Sequence, residues 1–141
     1  AQLWHPEHPK LYTCRVRFGT DEAECTFGLR SLTWGADGLK LNGERLIIQG
    51  ACVHHDHGLL GACCYPEAEE RRVRLLMENG YNALRSAHNP CSKALLDACD
   101  RLGMLVWQDF VSGFEKFNVM ASMVLPTLMI TLGTWGIRSM A

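Results

Sequence analysis

Three short apolar runs, each ending in a polar cluster, organise the middle of the chain. Leu46-Ile47-Ile48 leads through Gly50 to His54, His55, Asp56 and His57. Asn82-Ala83-Leu84 leads to Arg85, Ser86, Ala87, His88, Asn89 and Pro90, and Met104 to Trp107 leads to Gln108 and Asp109. A buried strand that stops in a working loop reads this way. Two helical patterns lie between the runs. The first has Pro66 as its opening residue, Gly80 past its end, and a stripe of Val73, Leu76 and Met77. Acid-before-base pairs at Glu67–Arg71 and Glu70–Arg74 add about 0.2–0.5 kcal/mol each. The second starts near Ser92, carries Leu95, Leu96, Cys99 and Leu102 on one face, and stops at Gly103. Strand, helix, strand, helix, strand predicts an α/β fold with a parallel sheet and right-handed crossovers. The loops after parallel strands emerge together, so His54, Arg85, His88 and Asp109 are expected at one end of the sheet, where α/β folds place their functional groups.

The flanks follow other patterns. Leu11 to Phe18 alternates, with Tyr12, Cys14, Val16 and Phe18 on the side expected to be buried. Gly19-Thr20-Asp21 reads as a turn and Cys25 to Leu32 as the returning strand, part of a larger antiparallel sheet. Asp37-Gly38 and Asn42-Gly43 flank Leu39-Lys40-Leu41 and signal a second small hairpin. The parallel array is expected from Leu46. Residues 119–137 carry no charge, long enough for a membrane span, but Pro126, Gly133 and Gly136 interrupt them. A divergent, non-native tail over 112–141 is the reading preferred to a membrane tether.

Composition narrows the classes. At 141 residues with 48% apolar residues, the chain suffices for one core. A net charge of −1 gives no electrostatic case for nucleic acid or an anionic membrane. No charged-then-apolar leader opens the sequence, which points to the cytoplasm. The seven cysteines are odd in number and irregular in spacing, as reduced thiols of an intracellular protein would be. His54, His55 and His57 with Cys63, Cys64 or His88 suggest a zinc-binding module as an alternative, although their spacing matches no standard pattern.

From Asn82 to Trp107 the chain resembles a signature of glycoside hydrolase family 2, the group of β-galactosidases, β-glucuronidases and β-mannosidases. The matching residues are Asn82, Leu84, Arg85, Ser86-Ala87, His88, Pro90, Leu95-Leu96, Asp100, Gly103 and Met104 to Trp107. Asn89 departs from the usual Tyr. Leu3-Trp4 to Leu11-Tyr12 and Phe27-Gly28-Leu29-Arg30 are similar to the end of the family's immunoglobulin-like sandwich. Leu41-Asn42-Gly43 to His54 is similar to the start of its barrel. The resemblance implies a partial (β/α)8 TIM barrel, its first two to three βα units, preceded by the last strands of an immunoglobulin-like β-sandwich. The implied division is 1–34 for the sandwich, 35–111 for the barrel and 112–141 for the tail.

The resemblance also implies hydrolysis of terminal β-O-glycosidic bonds with retention and without a cofactor. His54 and His88 match imidazoles that contact the bound sugar, and Arg85 matches the arginine that organises carboxylates beneath it. Val53 to His57 departs from the family's Asn-Arg-His-led run, and Gln108-Asp109 stands where many members have Asp-Glu. Retention needs two glutamates roughly 5 Å apart. Beyond Asp109 the only carboxylate is Glu115, and no Asn-Glu pair follows. A whole barrel takes about 250 residues. The expectation is therefore a fragment that carries sugar-binding residues, lacks both catalytic glutamates, is inactive alone, and associates with itself through open barrel edges.

Overall fold

The computed structural model describes residues 1–109. Strands β1 (Tyr12–Phe18) and β2 (Asp21–Phe27) form an antiparallel hairpin in register, from Tyr12 opposite Phe27 to Phe18 opposite Asp21. The return strand begins at Asp21, four residues before its expected start, because Gly19-Thr20 alone makes the turn and Gly19 takes a positive φ of 61°. Val16 and Phe18 lie on the side expected to be buried, yet Phe18 is 86% exposed. Among the described residues no further strand pairs with this hairpin.

The second sheet is a meander of β3 (Leu32–Gly35), β4 (Gly38–Leu41) and β5 (Glu44–Arg45). The second turn is the expected Asn42-Gly43, whereas the first is Ala36-Asp37, one residue before the expected Asp37-Gly38, because Gly38 already pairs with Gly35. Asn42 (φ 55°) and Gly43 (φ 88°) occupy the left-handed region, as a two-residue hairpin loop requires. Leu32 to Trp34 pair with Leu39 to Leu41, so the expected boundary at residue 34 runs through β3.

The parallel sheet is β6 (Gly50–Val53), β7 (Ala83–Ser86) and β8 (Leu105–Gln108), with β7 in the centre. Helices α1 (Pro66–Glu78) and α2 (Lys93–Leu102) form the crossovers. Pro66 sits at the start of α1 as predicted. Ser92 caps α2, its Oγ accepting from the Leu95 N–H at 3.1 Å. Gly103 closes α2 in the left-handed conformation, and a Cβ there would lie 2.1 Å from the Pro6 carbonyl oxygen. Only glycine meets both constraints.

One expected strand is shorter than the apolar run suggested. Leu46 to Gln49 is not strand, and Ile47 and Ile48 are exposed. The Asn82 side chain explains this. Its Oδ1 accepts from the Gln49 N–H at 2.9 Å and its Nδ2 donates to the Ile47 carbonyl at 2.8 Å. The Ile47 carbonyl and the Gln49 N–H are thereby paired outside a strand ladder.

Strand alternation gives the parallel sheet two apolar faces. Leu84 and Val106 face the helices and pack with Val73, Leu95, Ala98, Cys99 and Met104. Ala83 and Leu105 face the other way, onto Trp4, Leu32, Leu39 and Leu41. Trp4 is anchored by its indole N–H to the Asp100 carbonyl at 3.0 Å, with the Arg30 guanidinium 5.0 Å over its ring. The meander and Trp4 thus plug the sheet where its strands begin, and the opposite end is left for the loops. The 119–137 membrane reading and the 112–141 tail reading both fall outside the described residues. Among the described residues no helix is long and apolar enough to cross a membrane.

Candidate active site

Arg85 extends from the face of β7 opposite the helices, between Cys52 of β6 and Trp107 of β8 in register. Asp109 follows β8 directly and its side chain is buried. The two meet in a forked ion pair: Arg85 Nη2 donates to Asp109 Oδ2 at 2.7 Å, and Nε donates to Oδ1 at 3.3 Å. Two donors on two acceptors fix both planes. Asp109, by hydrogen bond first and charge second, holds the Arg85 guanidinium even further above its ordinary range.

His88 adds a third member. Its Nδ1 lies 3.5 Å from Asp109 Oδ2, and its ring stands edge-on to His54 with centroids 5.8 Å apart. His54 follows β6 immediately, so all four expected residues stand at the same end of the sheet. The peptide between Ala87 and His88 is cis. Ser86 Oγ donates to the Asn89 carbonyl at 2.7 Å, which folds the β7 loop back on its strand. Asp109 is thus the buried centre, and Arg85 and the two imidazoles form an accessible rim. A cation, two imidazoles and a buried carboxylate can hydrogen-bond the hydroxyls of a polar ligand from several directions. Below them Arg85, Trp107, Ala83, Leu105 and Leu39 line an apolar groove of about 200 Å³.

The patterns of the chain did not single out a second cluster, on the helix side. Glu69 of α1 is only 2% exposed. Its Oε1 accepts from Ser92 Oγ at 2.9 Å, and its Oε2 lies 3.3 Å from His57 Nε2 and 3.8 Å from Arg72 Nη1. Arg72 reaches over it to donate to the carbonyls of His54 at 2.8 Å and Asp56 at 2.5 Å. The cluster ties the loop that carries His54 to α1 and to the cap of α2. The available signal was position: Glu69 stands four residues before Val73, on the buried stripe of its own helix. His57 is therefore turned inward and His54 outward. Among the described residues no group of three or more His, Cys, Asp or Glu could hold a metal ion, so the zinc reading has no geometry behind it there.

Comparison with known proteins adds the family. Residues 35–124 match the model described as "Glycosyl hydrolases family 2, TIM barrel domain". The chain belongs to glycosyl hydrolase family 2. Residues 1–30 match a further model of the same family, described as "Glycosyl hydrolases family 2". This family 2 chain is 40% identical over 122 residues to beta-galactosidase BoGH2A of Bacteroides ovatus, covering 82% of itself and 14% of that protein. It is 32% identical over 121 residues to a putative beta-glucuronidase of Formosa agariphila, covering 82% of itself and 12% of that protein. Among solved structures, a family 2 member from Bacteroides cellulosilyticus superposes with a TM-score of 0.78 at 38% identity, over 95% of this chain and 20% of that one. A beta-galacturonidase of Eisenbergiella tayi bound to galacturonate superposes with a TM-score of 0.77 at 27% identity, over 95% of this chain and 26% of that one. The chain thus spans a small part of the relatives it matches.

Proposed function

We propose that the chain contributes the sugar-binding floor of a retaining β-glycoside hydrolase, β-galactosidase-like in its substrate class. The observation that carries this reading is the forked Arg85–Asp109 pair with His88 and His54 around it, at the sheet end where barrel enzymes bind substrate. In this reading Arg85 and Asp109 fix the base of the site, and His54 and His88 address hydroxyls of a terminal sugar. Residues 1–34 serve as the last part of an immunoglobulin-like sandwich and 35–111 as the first part of the barrel. The relatives named beta-galactosidase and putative beta-glucuronidase support the glycosidic class.

Retention requires an acid/base carboxyl and a nucleophilic carboxylate, which together contribute several powers of ten in rate. The proposal assigns neither role within the 141 residues. The purified chain is expected to show no hydrolysis of aryl β-galactosides, β-glucuronides or β-mannosides above background. Turnover that His88→Ala abolishes would overturn the proposal, because another carboxylate would then be serving the site.

The proposal includes self-association of the isolated chain. Among the described residues β6 and β8 each pair only with β7, and Ile47, Ile48 and Trp34 are exposed beside the apolar groove. Open strand edges next to apolar surface promote association. Sedimentation velocity is expected to show concentration-dependent oligomers; a strict monomer with a sharp thermal transition would contradict this.

A further inference from the structure

We infer that Cys14 and Cys25 form an oxidisable dithiol that closes into a disulfide across the N-terminal hairpin when a small disulfide such as oxidised glutathione is present. The two residues face each other directly in the β1–β2 register. Opposed residues of an antiparallel pair have Cα atoms about 4.5–5.5 Å apart, and disulfides span about 4.4–6.8 Å. Side chains of opposed residues do meet in this hairpin. Two positions away on the same face, the rings of Tyr12 and Phe27 stand 6.0 Å apart. On the other face Arg15 bonds Glu24 at 2.8 Å and Arg17 bonds Glu22 at 3.0 Å. Both thiols are free and partly buried, within reach of a small oxidant.

The other cysteines lack this arrangement. Cys99 is fully buried, and burial pushes its thiol well above the ordinary range. Burial also pushes Cys91 up to about 11, and its Sγ is engaged with Gln108 Oε1 at 3.5 Å. Thiolates are the attacking species, so these two are poor nucleophiles. Cys52 sits at the candidate site beside Arg85, and Cys63 and Cys64 are neighbours in one loop.

The two-residue turn fixes the character of the bond. Phe18 and Asp21 close the hairpin as a hydrogen-bonded pair, pairs alternate from there, and Cys14–Cys25 is again hydrogen-bonded. Such pairs hold their side chains further apart than a disulfide prefers, so the link draws the strands together and is readily reduced. The chemistry balances by exchange. The Cys14 thiolate attacks glutathione disulfide, one S–S bond breaks and one glutathione thiolate leaves. The Cys25 thiolate then attacks the Cys14 sulfur and releases the second. Two electrons pass from the protein thiols to the oxidant, and the two protons lost end on two glutathione molecules.

The test uses the full chain, reduced, exposed to excess glutathione disulfide, quenched in acid and alkylated before trypsin digestion. Arg15 and Arg17 lie between the two cysteines, so cleavage separates peptides 11–15 and 18–30. The expected product is these two peptides joined, two hydrogens lighter than their reduced sum, as the dominant disulfide from folded chain and a minor one when the oxidation is done in urea. In the Cys25→Ser chain, Cys14 is expected to carry glutathione instead. Separate glutathionylation of both peptides from folded chain, unmodified peptides, or pairing with other cysteines without preference would each overturn the inference.

Discussion

Asp109 and Glu69 are both buried carboxylates, and each faces one arginine and one histidine, yet they serve different ends. Around Asp109 the arginine bond is short and forked, at 2.7 and 3.3 Å, and the histidine opens outward with 65% of its side chain exposed. Around Glu69 the arginine stands 3.8 Å away and spends its hydrogen bonds on the carbonyls of His54 and Asp56, while the histidine keeps only 8% exposure. The first cluster ends strands and faces the open end of the sheet. The second lies between a helix, a loop and a helix cap. Identical residue types thus make a rim that can meet a ligand in one place and a tie that holds the rim's loop in the other.

The comparison breaks most visibly at the closed cluster. Glu69→Ala removes the acceptor for Ser92 and the partner of His57, and leaves buried donors unmatched; a loss of about 3 kcal/mol is expected in urea unfolding. Asp109→Asn is the counterpart at the open cluster. It keeps the shape but loses the charge beneath Arg85, so sugar binding should weaken about tenfold or more while stability falls by only about 1–2 kcal/mol. Arg72→Lys comes next. The lysine keeps one carbonyl bond of two, so a stability loss of about 1 kcal/mol and a broadened His54 resonance are expected.

The smallest effect concerns thiols at the two kinds of place. Cys52 stands exposed at the open cluster, whereas burial holds Cys91 protonated up to about 11. Iodoacetamide at mildly alkaline pH should modify Cys52 well before Cys91. The raised pKa also sets a sign. Cys91 contributes its stabilisation in full below the ordinary thiol range and loses it as pH rises through about 11.

Most of this architecture was legible where local chemistry and tertiary packing agree. Pro66, Ser92 and Gly103 mark helix ends because each solves a backbone problem that exists before any packing. The shared end of the sheet followed from strand order alone, and it placed His54, Arg85, His88 and Asp109 correctly relative to the strands. Two features failed for one reason: a side chain from elsewhere took over a local role. Asn82 takes up the Ile47 carbonyl and the Gln49 N–H, so Ile47 and Ile48 make no strand there. Glu69 was not singled out because its burial depends on Ser92 and His57, distant in sequence. The apolar side of the first hairpin is a different case. Alternation reports which residues share a face, but Val16 and Phe18 show that the face need not be covered among the described residues.

The central claim is that the open cluster binds a sugar and the closed one does not. Histidine-ring NMR during titration with a terminal β-galactoside tests it most directly, since both clusters carry reporters in one sample. The account predicts that the His54 and His88 ring signals move together with one saturation curve, that His57 stays still, and that Asp109→Asn moves the curve to about tenfold higher sugar or beyond. Unmoved His54 and His88 signals at saturating sugar, or a His57 shift of equal size, would contradict it.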